Sequence, residues 1–199
     1  WCGRGIAMRA SGLGARVLVC EVDPVRAVEA VMDGFSVGRM EEMIAQADFL
    51  VTSTGCCDVV TERALAQAKD GLVMANAGHF DVEIDKGALA RLAVRQERVR
   101  DGIERFILAD DRSIYLLGEG RLVNLVLGDG HPVEIMVISF ALQALTLRHI
   151  VESEPLPPAL YPVPREIDDR VAQMKLSALG VTIDALTKEQ EGYLGLSRA

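Results

Sequence analysis

Positive charge is scarce in this chain of 199 residues. Lys and Arg number 21 against 29 Asp and Glu, and the formal net charge is −8. No Lys/Arg cluster forms a stripe that could follow a phosphate backbone, so nucleic acid is excluded as a partner. No uninterrupted apolar run reaches the ~20 residues of a membrane helix and no signal peptide is visible, so no membrane partner is expected. Cysteine is sparse too. Cys2, Cys20, Cys56 and Cys57 lie within or just after apolar stretches and show no Cys-x-x-Cys spacing. They are expected to be buried, reduced thiols in a reducing, cytoplasmic compartment, and the adjacency of Cys56 and Cys57 argues against an ordinary disulfide between them. The three histidines form no set with metal-ligand spacing, and internal repeats and low-complexity runs are absent. What is present is ordinary for a folded protein: 50% apolar and 25% charged residues, enough for a sizeable core in one or two domains.

The chain begins Trp1-Cys2-Gly3-Arg4-Gly5, followed by a helix-like stretch from Ile6 to Ser11. A Gly12-Leu13-Gly14 turn and the apolar run Ala15 to Cys20 come next, and the run ends in Glu21. This order is that of a dinucleotide-binding fingerprint opened in its middle: the last glycine of the phosphate turn, a helix, a second strand, then an acid about twenty positions on. The first strand and the first two glycines would lie upstream of Trp1, and the expectation is the back part of a larger enzyme. Gly3 and Gly5 fall where a helix N-terminus points free N–H groups at a pyrophosphate. A carboxylate at Glu21 would accept hydrogen bonds from both hydroxyls of an adenosine ribose and repel a 2′-phosphate, which favours NAD over NADP. Arg26, on the following helix, is the one feature that would instead welcome a phosphate.

From Arg4 to Asn76 helices alternate with buried strands. Helices are expected over Pro24–Asp33, Met40–Gln46 and Thr61–Ala68, with strands at Phe49–Thr52 and Leu72–Ala75. Such alternation predicts an α/β fold with a doubly wound parallel sheet of Rossmann type, lacking its first strand. Ligands of such sheets sit beyond the carboxyl ends of the strands, where Glu21, Thr52 to Gly55, and Asn76-Ala77-Gly78-His79 would converge. After Asp85 the pattern changes to a helix over Gly87–Ala93, strands over Arg98–Leu108 and Ser113–Leu117, and a glycine-rich segment from Gly118 to Gly130. A long helix over Pro132–Val151, a proline-rich connector from Glu154 to Pro164, an amphipathic helix over Arg165–Leu179 and a helix over Thr187–Leu194 with a Thr-x-x-Gln capping box complete the chain.

Several strings are more specific. Gly55-Cys56-Cys57-Asp58, the run Asn76-Ala77-Gly78-His79-Phe80-Asp81-Val82-Glu83-Ile84-Asp85, Glu119-Gly120-Arg121-Leu122-Val123-Asn124-Leu125 and Gly130-His131-Pro132 resemble the S-adenosyl-L-homocysteine hydrolase family. So does the opening, with Gly12-Leu13-Gly14-Ala15-Arg16-Val17 and Glu21-Val22-Asp23-Pro24. The resemblance runs over essentially the whole chain, in order and with consistent spacing. It implies an NAD-binding domain at 1–130, the returning helix and connector of a substrate domain at 131–164, and a C-terminal subunit-contact tail at 165–199. It also implies a reaction. Bound NAD oxidises the 3′-hydroxyl of the substrate ribose, the acidified 4′-hydrogen leaves with homocysteine, water adds, and reduction returns adenosine.

By matching position, Gly3, Arg4 and Gly5 look like part of the pyrophosphate loop and Glu21 like the ribose-binding acid. Arg26 stands on the ribose side, where many members carry Asn. Thr54, Ala77, Gly78, His79, Asn124 and His131 look like cofactor contacts, those other than His131 on the nicotinamide side. His79 and Phe80 resemble a gate over the substrate channel. His131 resembles a hinge residue near the substrate adenosine, and Met136 an adenine contact. His79 and His131 are the implied catalytic residues. Implied partners are S-adenosyl-L-homocysteine, adenosine, homocysteine and further copies of the chain, as a homotetramer. The acid/base residues of the family's substrate-binding part are not among these 199, so the chain alone is expected to be inactive and to fold poorly, with unpaired strand edges. The tail at Ser197-Arg198-Ala199 lacks the Lys- and Tyr-bearing end of many members. Two other readings stand beside this one: an NAD-binding or oligomerisation module without turnover, and a 2-hydroxyacid dehydrogenase-like oxidoreductase.

Overall fold

The computed structural model describes residues 1–195. Ser197, Arg198 and Ala199, at which the tail was expected to differ from many members, lie outside the described residues. The chain divides into two compact units, Trp1–Gly130 and the residues from His131 onward.

The first unit opens with α1 (Cys2–Gly12), β1 (Leu18–Val19), α2 (Pro24–Met32) and β2 (Ser36–Val37). Asp23 caps α2 by accepting from the amides of Val25 and Arg26, and Pro24 supplies the preset first helical φ. Next come α3 (Met40–Ile44), β3 (Phe49–Thr52), α4 (Glu62–Leu65), β4 (Leu72–Asn76) and α5 (Lys86–Leu92). The unit ends with β5 (Ala93–Arg100), β6 (Ile103–Leu108), β7 (Ser113–Leu117), a short turn of helix at Gly118–Gly120 and α6 (Val123–Val126).

The strands form two sheets. β1 and β2 make a parallel pair of their own, and the other five run in the order β3-β4-β7-β6-β5. β3, β4 and β7 are parallel, as alternation with helices predicts. β5 and β6 run antiparallel and turn the far side of the sheet into a hairpin meander, so the sheet is mixed rather than wholly parallel. The expected single strand over Arg98–Leu108 is therefore two strands. The chain reverses at Asp101-Gly102, where Gly102 takes a φ of +68° that a side chain would resist.

One face of the larger sheet carries the core. Leu65 of α4 and Leu89 of α5 pack with Leu72, Met74, Ile114 and Leu116 of the central strands, all of them at most 1% exposed. Each such side chain contributes roughly 1.5–3 kcal/mol by leaving water. On β3 burial alternates with the pleat: Leu50 and Thr52 are buried while Phe49 and Val51 point to the opposite face and are exposed. The cysteines depart from expectation, since Cys2, Cys20, Cys56 and Cys57 are all free and exposed. They sit on short elements and loop edges that the core does not cover. Crowding by its surroundings and the nearby Glu41 carboxylate raise the pKa of the Cys20 thiol.

The second unit holds α7 (Val133–Glu152), α8 (Arg165–Ala178) and α9 (Lys188–Tyr193). α7 packs against α8, whose Val171 is buried. The capping box of α9 is formed: the Thr187 hydroxyl accepts from the Gln190 amide and the Gln190 side chain accepts from the Thr187 amide. By length and composition α7 is long and apolar enough to cross a membrane. A search for an uninterrupted apolar run misses this, because Ser139, Gln143 and Thr146 punctuate the helix without lowering its mean hydropathy below that of a membrane span.

Candidate functional site

The carboxyl ends of β3 and β4 lie side by side, because their parallel register pairs Thr52 with Asn76. Past those ends the chain makes two loops, Ser53–Gly55 and Ala77–Phe80, tied together by buried polar groups. Asn76 is 0% exposed and fully engaged. Its Oδ1 accepts from the Gly78 amide at 2.7 Å and the Thr52 hydroxyl at 3.0 Å. Its Nδ2 donates to the carbonyls of Phe80 at 2.8 Å and Gly120 at 2.9 Å, with a longer contact to Gly78 at 3.3 Å. Satisfying every donor and acceptor is what makes an amide tolerable at that depth. A bridge from Asn76 to Leu122 brings the Leu122–Asn124 segment to the same place.

Glu83 is the second hub. Its carboxylate is 1% exposed and accepts from the Thr54 amide at 2.9 Å, the Thr54 hydroxyl at 2.7 Å and the Gly55 amide at 2.8 Å. Its own backbone is held by Val59 and Val60, whose amides both donate to the Glu83 carbonyl. Nearby, the Lys86 ammonium bonded to Asp81 holds that carboxyl below the usual carboxylate range. A lowered pKa makes the stabilisation of this exposed pair present at neutral pH and lost as the pH falls through it.

The start of α1 reaches the same end of β3: a Cβ placed on Gly3 would lie 2.9 Å from Ser53 Oγ. α1 begins at Cys2, earlier than the expected Ile6, so Gly3, Arg4 and Gly5 form its first turn. The amides of Cys2, Gly3 and Arg4 have no intrahelical partner, while Gly5 already donates to Trp1. Space beside Gly5 is open. These free amides and that bare backbone suit a phosphate.

Other expected residues are placed less directly. The Arg4 guanidinium is taken up by Asp33, with Nε 2.9 Å from Oδ2 and Nη2 2.9 Å from Oδ1, so its side chain faces the end of α2. Glu21 stands after β1 with Oε1 accepting from the Val22 and Asp23 amides, which fixes the carboxylate while Oε2 has no partner among the described residues. Arg26 is exposed, 3.8 Å from Asp23. The Thr54 hydroxyl donates to Glu83 and accepts from the Cys56 amide, which spends both of its roles inside the protein. Ala77 donates to the Thr52 carbonyl, and Gly78 is buried. His79 is exposed, its ring edge-on to that of the exposed Phe80 at 4.4 Å between centroids. Asn124 is half-buried. His131, exposed, and Met136, half-buried on α7, belong to the second unit.

The geometry thus joins Gly3, Ser53–Gly55, Asn76–Phe80 and Gly120–Asn124 into one site, while no hydrogen bond among the described residues ties Glu21 to it. Sequence reading placed Asn76 at a strand end and quoted Glu83 within a motif, but assigned neither a role. The available signal was a lone acid between Val82 and Ile84, close after Gly78. Among the described residues no cluster of three or more His, Cys, Asp or Glu could hold a metal ion.

Residues 2–130 match the family described as S-adenosyl-L-homocysteine hydrolase, NAD binding domain. An S-inosyl-L-homocysteine hydrolase of Methanothermobacter thermautotrophicus is 56% identical over 196 residues, which cover 98% of this chain and 47% of the relative. Adenosylhomocysteinases of Thermotoga maritima and Archaeoglobus fulgidus are each 53% identical over 195 residues, 98% of this chain and 48% of theirs. The chain spans about half the length of the curated relatives it matches.

Proposed function

Because this chain belongs to the S-adenosyl-L-homocysteine hydrolase family and carries its NAD-binding domain, we propose that it serves a hydrolase that splits S-adenosyl-L-homocysteine into adenosine and L-homocysteine. The observation that carries this reading is the family match of residues 2–130, falling on the segments whose strand-end loops and first helical turn form one site. The two parallel ladders, β1–β2 and β3–β4–β7, are read as parts of one doubly wound Rossmann-type sheet with the place of one strand between β1 and β3.

The residues present fit a dinucleotide. The free amides at the start of α1 would hold the pyrophosphate, and Oε2 of Glu21 would take an adenosine ribose hydroxyl. The loops Ser53–Gly55 and Ala77–His79 would border the nicotinamide, with Asn124 beside them. When bound, NAD supplies a hydride acceptor for the 3′-position of the substrate ribose. The chain's own part is to bind, to orient and to exclude water. Gly78, lacking a side chain, lets a ligand approach the end of β4, and His79 with Phe80 would close over the substrate channel. His79 and His131 are the groups proposed to touch substrate, with Met136 near the base. By itself the chain is proposed to bind cofactor without turnover, since it supplies none of the acid/base residues of the substrate-binding part. Assembly as a homo-oligomer, a homotetramer by resemblance, would use α8 and α9. Cytoplasmic residence and the packing of α7 within protein belong to the same reading, supported by alignment of 98% of the chain to relatives named as hydrolases.

Hydrolysis of S-inosyl-L-homocysteine is the second reading, favoured by the relative at 56% identity that bears that name. The chain supplied together with a substrate-binding part of the family and offered both thioethers, with adenosine, inosine and homocysteine release measured, separates the two.

The cofactor assignment is tested at Glu21. Glu21→Ala should weaken NAD binding, read by calorimetry, by about tenfold or more, the worth of a hydrogen bond to a charged group. The same change should raise NADP affinity relative to NAD, because the 2′-phosphate no longer meets a carboxylate. Unchanged NAD affinity would remove Glu21 from the site.

A further inference from the structure

Glu83 places a negative charge in the interior and meets it with three hydrogen bonds from one loop: the Thr54 amide, the Thr54 hydroxyl and the Gly55 amide. A carboxylate only accepts, so each of those donors is matched to it, and an amide in its place would turn N–H groups toward N–H groups. The oxygen that accepts from Gly55 also fills the space a side chain at Gly78 would need, since a Cβ there would lie 1.8 Å from Glu83 Oε1. Gly78 is in turn held through its amide by Asn76, which also binds Thr52. One buried carboxylate therefore wedges the loop after β3 against the loop after β4. Its backbone carbonyl ties the same two connections a second time, accepting from the Val59 and Val60 amides further along the chain from Gly55.

We infer that Glu83 is a positioning residue for the nicotinamide half of the cofactor site, setting Ser53–Gly55 and Ala77–His79 as a single piece. This rests on the cofactor reading above. With the Thr54 and Gly55 amides and the Thr54 hydroxyl turned inward to Glu83, the face those residues leave to a ligand is the Thr54 methyl and the backbone carbonyls. Thr54 contributes shape to the site, and its polar groups serve Glu83. The Gly3–Gly5 turn and Glu21 donate no hydrogen bond to Glu83, and Gly3 meets that piece only beside Ser53, so the pyrophosphate and adenosine half depends on it far less.

The test compares NAD with ADP-ribose, which lacks the nicotinamide, on the 199-residue chain by calorimetry. Glu83→Gln should weaken NAD binding by about tenfold, as expected when the competent loop arrangement falls to roughly a tenth of the population. ADP-ribose binding should change by less than about twofold on the same view. A residue that only stabilised the fold would weaken both ligands in equal measure, and that result overturns the inference while leaving the cofactor reading intact. Failure of the wild-type chain, first shown to melt cooperatively, to bind either ligand overturns the cofactor reading and the inference with it. A second measurement needs no variant: hydrogen exchange of the wild-type chain. NAD should slow exchange at the amides of Thr54, Gly55 and Gly78 together, and ADP-ribose should not. Independent responses of the two loops, or equal protection by ADP-ribose, would overturn the inference even if Glu83→Gln failed to fold.

Discussion

Gly78 has no room for a methyl group. A Cβ there would meet Glu83 Oε1 at 1.8 Å and Asn76 Oδ1 at 3.0 Å, both on side chains pinned by their own hydrogen bonds. Neither can swing away without leaving a buried polar group unpaired. Gly78→Ala should therefore cost about 1–3 kcal/mol, the usual range for overpacking, read as a lowered urea midpoint at unchanged slope. The strings around residues 76–85 were legible as a site because glycine, histidine and acid stand together at a strand end. The division of labour among them was not. Asn76 and Glu83 look like surface polar residues until the pleat of β4 and the bend before Ile84 turn them inward, and the Thr54 hydroxyl faces Glu83. Which way a polar side chain points depends on its hydrogen-bond partners, and those lie up to 44 residues away in the chain.

At the scale of elements, local chemistry was the best guide. β3 lies where the run Phe49–Thr52 predicts, α2 starts at its Asp23-Pro24 signal, and the box at Thr187 and Gln190 forms. β5 before Arg98 was missed because half of its strand is charged and most of it exposed, so neither an apolar run nor an alternation marks it; its reason to be a strand is β6. α6 was hidden by the glycines around it, and β2 by its length of two residues. The first turn of α1 shows stability and function pulling apart. Gly5 is helical with nothing within 4 Å of an added Cβ, so Gly5→Ala should raise apo stability by about 0.5–1 kcal/mol through helix propensity. It should also shrink the thermal shift that NAD produces, because a methyl would stand where a pyrophosphate approaches the backbone. A thermal scan with and without NAD reads both effects. Equal gains in the two conditions would place the pyrophosphate elsewhere.

Across the whole molecule the parallel arrangement of β3, β4 and β7 was legible from alternation. The separation of β1–β2 and the mixed character of the far side were not, since both depend on which strands find partners. The two outer strands of the five-stranded sheet are unlike in kind. β5 carries Arg95, Gln96, Glu97, Arg98 and Arg100, a charged border that resists the approach of another strand. β3, at the opposite border, shows exposed Phe49 and Val51 and no charge. In concentrated solution these 199 residues are therefore one-sided: growth of an ordered aggregate is opposed at β5 and invited at β3, in the place read above for a further strand. Val51→Lys should delay the rise of light scattering at high protein concentration, whereas Gln96→Lys should leave it unchanged. Equal delay from both would mean that copies meet through another surface.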